Sequence, residues 1–258
     1  MDFATFDLRA PAAVMAIAVH AGHDVRPALA PKMKVDEFVR LREEDPYTGS
    51  IAARVGPNIV VNRSRFEVDL NRVREQAVYR SPADSWGIEV WREPLDDDEI
   101  AESLSLYDQF YEDLTQVLDG LVADHGGFVL YDIHSYNHRR PGPDAEPEPV
   151  SENPMVNLGT GSLPDRWKPV ADVFIEAMSA VRVGGELVDA RPNVRFEGRQ
   201  VAKWIHDRYG ERACALSIEF KKVFMDEWTG EVDDPLLLEW GDALAETVEP
   251  VVAAWAAI

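Results

Sequence analysis

The chain is poor in cysteine, in positive charge and in long apolar runs, and each shortage excludes something. Cys214 is the sole cysteine, so no disulfide can close within the chain, and its apolar, strand-like surroundings mark it as a small core residue rather than a nucleophile. No apolar run approaches the roughly 20 residues that a membrane-spanning helix needs. Met1-Asp2-Phe3 lacks the basic start and long apolar region of a secretion signal, and the expected location is the cytoplasm. Lys and Arg number 26 against 47 Asp and Glu, a net charge of −21. That field repels phosphate backbones and anionic lipid heads, so neither nucleic acid nor a membrane surface is an expected partner. Internal repeats and abrupt shifts of composition are missing too. The expectation is a single domain over residues 1–258, large enough to bury roughly 70–75% of its unfolded surface.

What is present is a globular pattern: 46% hydrophobic and 28% charged residues exclude both disorder and a fibrous chain. The runs "VMAIAVH" (14–20), "NIVVN" (58–62), "GFVLYDIH" (127–134) and "ACALSIEF" (213–220) are short, apolar and β-branched, and read as buried strands. Helical patterns fall at 34–43, 97–125, 164–180, 197–209 and 234–257, which gives α/β order. The acidic run "LDDDEI" (95–100) belongs at a helix N-terminus, where the dipole favours carboxylates. The helices at 97–125 and 234–257 lack a sustained heptad and are expected to cover the sheet rather than join copies of the chain. "RRPGPDAEPEPVSENP" (139–154) has no hydrophobic period and is either a functional loop or an insertion.

The chemistry gathers where strands end. In an open, largely parallel sheet, ligands bind at the carboxyl ends of the strands. Here those ends carry His20, then "DLNR" (69–72), then Asp132 with His134, and finally Glu219. In "VHAGHDVRP", His20 and His23 are separated by Ala21 and Gly22, small enough for the backbone to bring both imidazoles to one centre. With the distant His134 they match the two-plus-one spacing of a catalytic zinc site, in which three protein ligands leave a position for water. Asp132, on the same strand face as His134, is placed to fix an imidazole tautomer. The plainer reading of His23 is a solvent-facing loop residue. His125 and His206 read as structural, and His138 stays open between site and loop. Arg65, Asn71 and Arg72 either present a fork and an amide to a carboxylate or sit in surface ion pairs.

"DLNR" (69–72), "YDIHS" (131–135), "NLGTG" (157–161), "FEG" (196–198) and "LSIEFKKVFMDEWTG" (216–230), with "VHAGH" and "REEDPYTG" (42–49), occur in an order that resembles the N-formylglutamate amidohydrolase family. A more distant similarity is to the zinc carboxypeptidase and aspartoacylase group. The resemblance implies a three-layer αβα sandwich with a mixed, largely parallel sheet of the zinc-peptidase (phosphorylase/hydrolase-like) type. It also implies one zinc ion per chain and hydrolysis of an amide beside a carboxylate. Carried over by position, His20 and His134 are zinc ligands, Asn71 and Arg72 hold the substrate carboxylate or polarise its carbonyl, and Glu219 is the general base; Arg65 joins Asn71 and Arg72 as a substrate-binding candidate. For the third ligand His23 is favoured, with Asp45 as the substitute and Glu44 beside it in the same acidic motif. The chain departs from the family at Gly198-Arg199, where a Gly-Gly pair is usual, and in having His23. The expected substrate is therefore an N-formyl or other N-acyl amino acid, or a short peptide. The second reading is an inactive relative that binds a metal or an acidic peptide.

Overall fold

The computed structural model describes residues 2–8 and 12–258. Among these residues nine strands appear in chain order: β1 (Ala4–Asp7), β2 (Val14–Ala18), β3 (Asn58–Val61), β4 (Phe128–Tyr136), β5 (Val156–Gly159), β6 (Arg182–Val183), β7 (Glu186–Leu187), β8 (Ala190–Pro192) and β9 (Ala213–Lys221). The helices are α1 (Glu37–Glu43), α2 (Thr48–Ala52), α3 (Asp97–His125), α4 (Lys168–Ala180), α5 (Gln200–Tyr209), α6 (Asp234–Glu246) and α7 (Val248–Ala256).

A seven-stranded sheet runs in the order β1-β3-β2-β4-β9-β5-β8, with β6 and β7 forming a separate hairpin. Strands β3, β2, β4 and β9 are mutually parallel. β1 and β5 are antiparallel to their neighbours β3 and β9, so the sheet is mixed but mostly parallel.

Side chains alternate across the pleat and divide the core into two layers. Val14, Ala16, Val129, Tyr131, Cys214 and Leu216 pack against α2, α4, α6 and α7. Trp240 and Phe174 are fully buried there, each worth about 1.5–3 kcal/mol of apolar burial. On the opposite face Met15, Ile17, Phe128, Leu130, Ala213 and Ala215 pack against α3 and α5. The expected αβα architecture is thus present. The important detail is that the second face changes character along β4: Phe128 and Leu130 are followed by Asp132 and His134, and on β9 Ala213 and Ala215 are followed by Ser217 and Glu219. The helices cover the apolar half, and the polar half becomes a site.

Local signals explain the helix ends. Asp96 accepts from Glu99 N at 2.9 Å while Glu99 accepts from Asp96 N at 2.9 Å, a reciprocal cap at the start of α3. The helix stops at Gly126, whose φ of 78° only glycine adopts without strain. The pattern at 234–257 is two helices, because Thr247 turns inward, donates to Leu244 O at 2.7 Å and meets the Tyr131 hydroxyl at 2.9 Å. The Pro-rich segment is tied at both ends, by Arg139 N on Glu227 at 2.7 Å and by Arg195 on Glu148 at 2.6 Å. Among the described residues no helix is long and apolar enough to cross a membrane.

Candidate active site

Parallel strands β2, β4 and β9 lie side by side and deliver their carboxyl ends to one place. His20 follows β2. His134 on β4 and Glu219 on β9 are direct register partners and so share one face. The imidazoles of His20 and His134 stand with ring centroids 5.0 Å apart. Asp45 joins them from the loop between α1 and α2, its N–H donating to His20 O at 2.9 Å. Its Oδ2 lies 3.3 Å from His20 Nδ1 and 3.1 Å from His134 Nδ1. One ligand atom from each of the three residues falls within 4.8 Å of the others, and all three residues are buried.

The remaining imidazole nitrogens meet carboxylates. His20 Nε2 is 2.7 Å from Asp69, and His134 Nε2 is 3.0 Å from Asp132. The amide nitrogen of Asn71 lies 3.2 Å from the latter nitrogen, with its oxygen fixed by Val201 N at 3.0 Å. Asp69 is itself held by Arg65 at 2.8 Å, by the Tyr79 hydroxyl and by Asn71 N at 2.9 Å. The charge of Asp69 and Asp132 favours the proton on Nε2 of each ring, which leaves both Nδ1 lone pairs facing the Asp45 carboxylate. Three buried acceptors then converge with no donor among them, an arrangement that a shared cation satisfies.

Without a cation, a proton shared between Asp45 and the imidazoles takes its place. Burial opposes ionisation of Asp45, yet hydrogen bonds to His134 and His20 outweigh it and hold the carboxyl well below its usual range. Burial also works against a charged His134, but Asp132 and Asp45 draw positive charge onto it and push its pKa up. Glu219 behaves oppositely: burial dominates, only partly offset by His134, and its pKa rises to about 7. It lines a cavity of about 90 Å³ together with His20, Asp45, Arg65 and His134.

Of the expected ligands and substrate-binding residues, His23 and Arg72 do not line this cavity; Asp132 stands behind it on His134. Gly22 packs so tightly that a Cβ would sit 2.1 Å from the Asn62 carbonyl carbon. The small residue therefore serves a backbone crossing, not a curl, and the chain carries His23 onward to Glu44, 2.5 Å from its Nδ1. Arg40 donates to His23 O at 3.0 Å, and Ser64 donates to Glu44. Asp45, the substitute, occupies the position proposed for His23, while Glu44 is used to hold that histidine. Arg72 turns aside to donate to Asp84 O at 3.3 Å, with Asp69 3.8 Å from its Nε. Arg65, by contrast, lines the cavity and stacks over Trp86 at 4.8 Å.

The other histidines lie outside the group. His206 accepts from Ala215 N at 3.0 Å and meets Ser162 at 2.9 Å, and burial pushes its pKa down to about 4. His125 ends α3, and burial lowers the pKa of His138 beside the loop. Cys214 is buried, which pushes its thiol up. Sequence reasoning gave no role to Asp69, which orients His20, although it stands in the quoted "DLNR". It also passed over Asn137, Arg199 and Lys222 on the cavity wall.

The chain is similar to known proteins in fold and in sequence. A structure of N-formylglutamate amidohydrolase from Ralstonia eutropha JMP134 matches with a TM-score of 0.76 and 17% identity, covering 99% of both chains. A gene product from Agrobacterium tumefaciens matches with a TM-score of 0.69 and 16% identity over 98% of this chain and 95% of that one. A metallo-carboxypeptidase from Burkholderia cenocepacia is a weaker match, with a TM-score of 0.44 and 12% identity over 95% of this chain and 58% of that one. A search of curated protein sequences gave no match. At these identities the structures speak for the fold, and the family model speaks for ancestry. That model, described as N-formylglutamate amidohydrolase, matches residues 12–225, and the chain belongs to the N-formylglutamate amidohydrolase family.

Proposed function

We propose that the protein is a zinc-dependent amidohydrolase that cleaves the amide bond of an N-formyl or other N-acyl amino acid. The observation that carries the reading is the convergence of three buried acceptors, His20, Asp45 and His134, next to a carboxyl group whose pKa lies at about 7. Two imidazoles and one carboxylate suit zinc, and a bound zinc ion supplies Lewis acidity that polarises a carbonyl and lowers the pKa of water to about 7.

The chain's own residues do the rest. Asp69 and Asp132 keep the two imidazoles in the tautomer that leaves Nδ1 free. Glu219 takes a proton from the attacking water at its carboxylate and delivers it to the departing nitrogen, a role suited to a group poised near neutral pH. Arg65, fixed by Asp69 and Trp86, stabilises negative charge developing on the carbonyl oxygen. Asn71 fixes the start of α5 through its oxygen and Asp69 through its backbone N–H rather than reaching for substrate, and Arg72 turns to Asp84.

The test is a discontinuous assay of amine and acid release from a panel of N-formyl and N-acetyl amino acids, with zinc-loaded protein. Turnover of at least one class, abolished by chelation and restored by zinc, is the expected result. A folded, zinc-loaded protein that cleaves none of them would overturn the hydrolase reading and leave a metal-binding relative without activity.

A further inference from the structure

Two side chains on the cavity wall lack the partners that their chemistry requires, and neither has a part in the reaction set out above. Lys222, just beyond β9, is 1% exposed. Its ammonium donates to the carbonyls of Arg42 and Glu44, both at 2.6 Å, which occupies two of its three donors. No carboxylate among the described residues pairs with it. Burial pushes its pKa down, against the attraction of Asp45, Glu43 and Glu227, and Arg140 repels it as well. Asn137 is 2% exposed, and its side-chain oxygen is buried with no hydrogen-bond partner.

The two are neighbours. Lys222 N donates to Tyr136 O at 3.0 Å, and Tyr136 is the register partner of Lys221. Both side chains line the cavity that holds His134 and Glu219. Other cations on that wall are already engaged: Arg65 by Asp69 at 2.8 Å and Arg140 by Glu43 at 3.6 Å. Arg199 is exposed at the N-terminal end of α5 and remains in contact with water. A buried cation without a counter-ion and a buried acceptor without a donor are each unfavourable, and a ligand that supplies both missing groups relieves them together.

We propose that Lys222 and Asn137 form the subsite for the amine half of the substrate, Lys222 receiving a free carboxylate and Asn137 accepting the N–H of the scissile amide. This rests on the amidohydrolase reading and narrows it. In an N-acyl α-amino acid a single carbon separates the amide nitrogen from the carboxylate, so an adjacent acceptor and cation read both groups at once. The carboxamide of the same compound leaves Lys222 buried and unpaired, and a site built for a polar group rejects ligands that lack it far more strongly than one built for apolar contact.

The experiment compares an N-formyl amino acid with its carboxamide in zinc-loaded protein, by kcat/KM and, in a Glu219→Gln background, by calorimetric affinity. Wild type should prefer the acid by at least about 100-fold. Lys222→Met should bring the ratio to within about fivefold by raising KM for the acid far more than for the carboxamide, and Lys222→Arg should restore most of the preference. Asn137→Ala, which leaves the tie to Glu44 intact, should weaken acid and carboxamide alike by about tenfold. An acid preference that survives Lys222→Met, or a wild type indifferent to the carboxylate, overturns the proposal, and the second result does so even if Lys222→Met fails to fold. A wild type that cleaves neither compound, while its Glu219→Gln form still binds the acid through Lys222, overturns the hydrolase reading and retains the subsite.

Discussion

Replacing Glu219 by glutamine should make the metal-free protein more stable as it makes the enzyme inactive. The partly exposed side chain neighbours His134 across the sheet, and desolvation raises its pKa from 4.5 to about 7. An acid whose folded pKa exceeds its unfolded one contributes nothing below the unfolded value, and it destabilises the fold progressively as pH rises between the two. A difference of about 2.5 units corresponds to about 3 kcal/mol once both states are ionised. The glutamine variant has no such dependence. Urea unfolding of the two chelated proteins at about pH 4.5 and about pH 8.5 should therefore show the stability difference widening by about 3 kcal/mol in favour of Glu219→Gln, because groups remote from Glu219 titrate alike in both. A difference that stays constant to within about 0.5 kcal/mol would mean that Glu219 titrates normally, and the argument for a base poised near neutrality would fail with it.

Two further outcomes follow from the packing. Gly22→Ala forces a Cβ to 2.1 Å from the Asn62 carbonyl carbon and should cost at least about 2 kcal/mol in chemical unfolding, whereas Gly120→Ala, with nothing within 4 Å of its new methyl, should stabilise α3 by about 0.5–1 kcal/mol. Arg65→Ala removes the cation assigned to the carbonyl oxygen and should lower kcat by about 100-fold, while Arg72→Ala should leave kcat/KM within about threefold, and equal losses would show that Arg72 reaches the substrate.

Much of the fold was legible in the sequence because the central strands are buried on both faces and so read as unbroken apolar runs. Phe128 to Tyr131 and Ala213 to Leu216 are such runs. β1, with two exposed residues in four, and the short β5 and β8 carry too little pattern to announce themselves. At the cavity, the placement of His20, His134 and Glu219 was legible because a polar residue ending a buried strand has no packing reason to be there. His23 was misplaced for the opposite reason: spacing within a loop does not give direction, and Gly22 answers to a backbone contact 40 residues away in sequence. Asp45 reaches the centre through its backbone bond to His20 O, a tertiary fact. Lys222 is hidden in sequence because lysine is a surface residue almost everywhere else.

The central claim is that His20, Asp45 and His134 hold one metal ion and His23 does not. Elemental analysis of zinc per chain tests it directly, on wild type, Asp45→Ala, His134→Ala and His23→Ala, each zinc-saturated and then freed of unbound metal. About one equivalent is predicted in wild type and His23→Ala, and little in the other two. No zinc in a folded wild type, or zinc lost with His23 and kept without Asp45, would contradict the account.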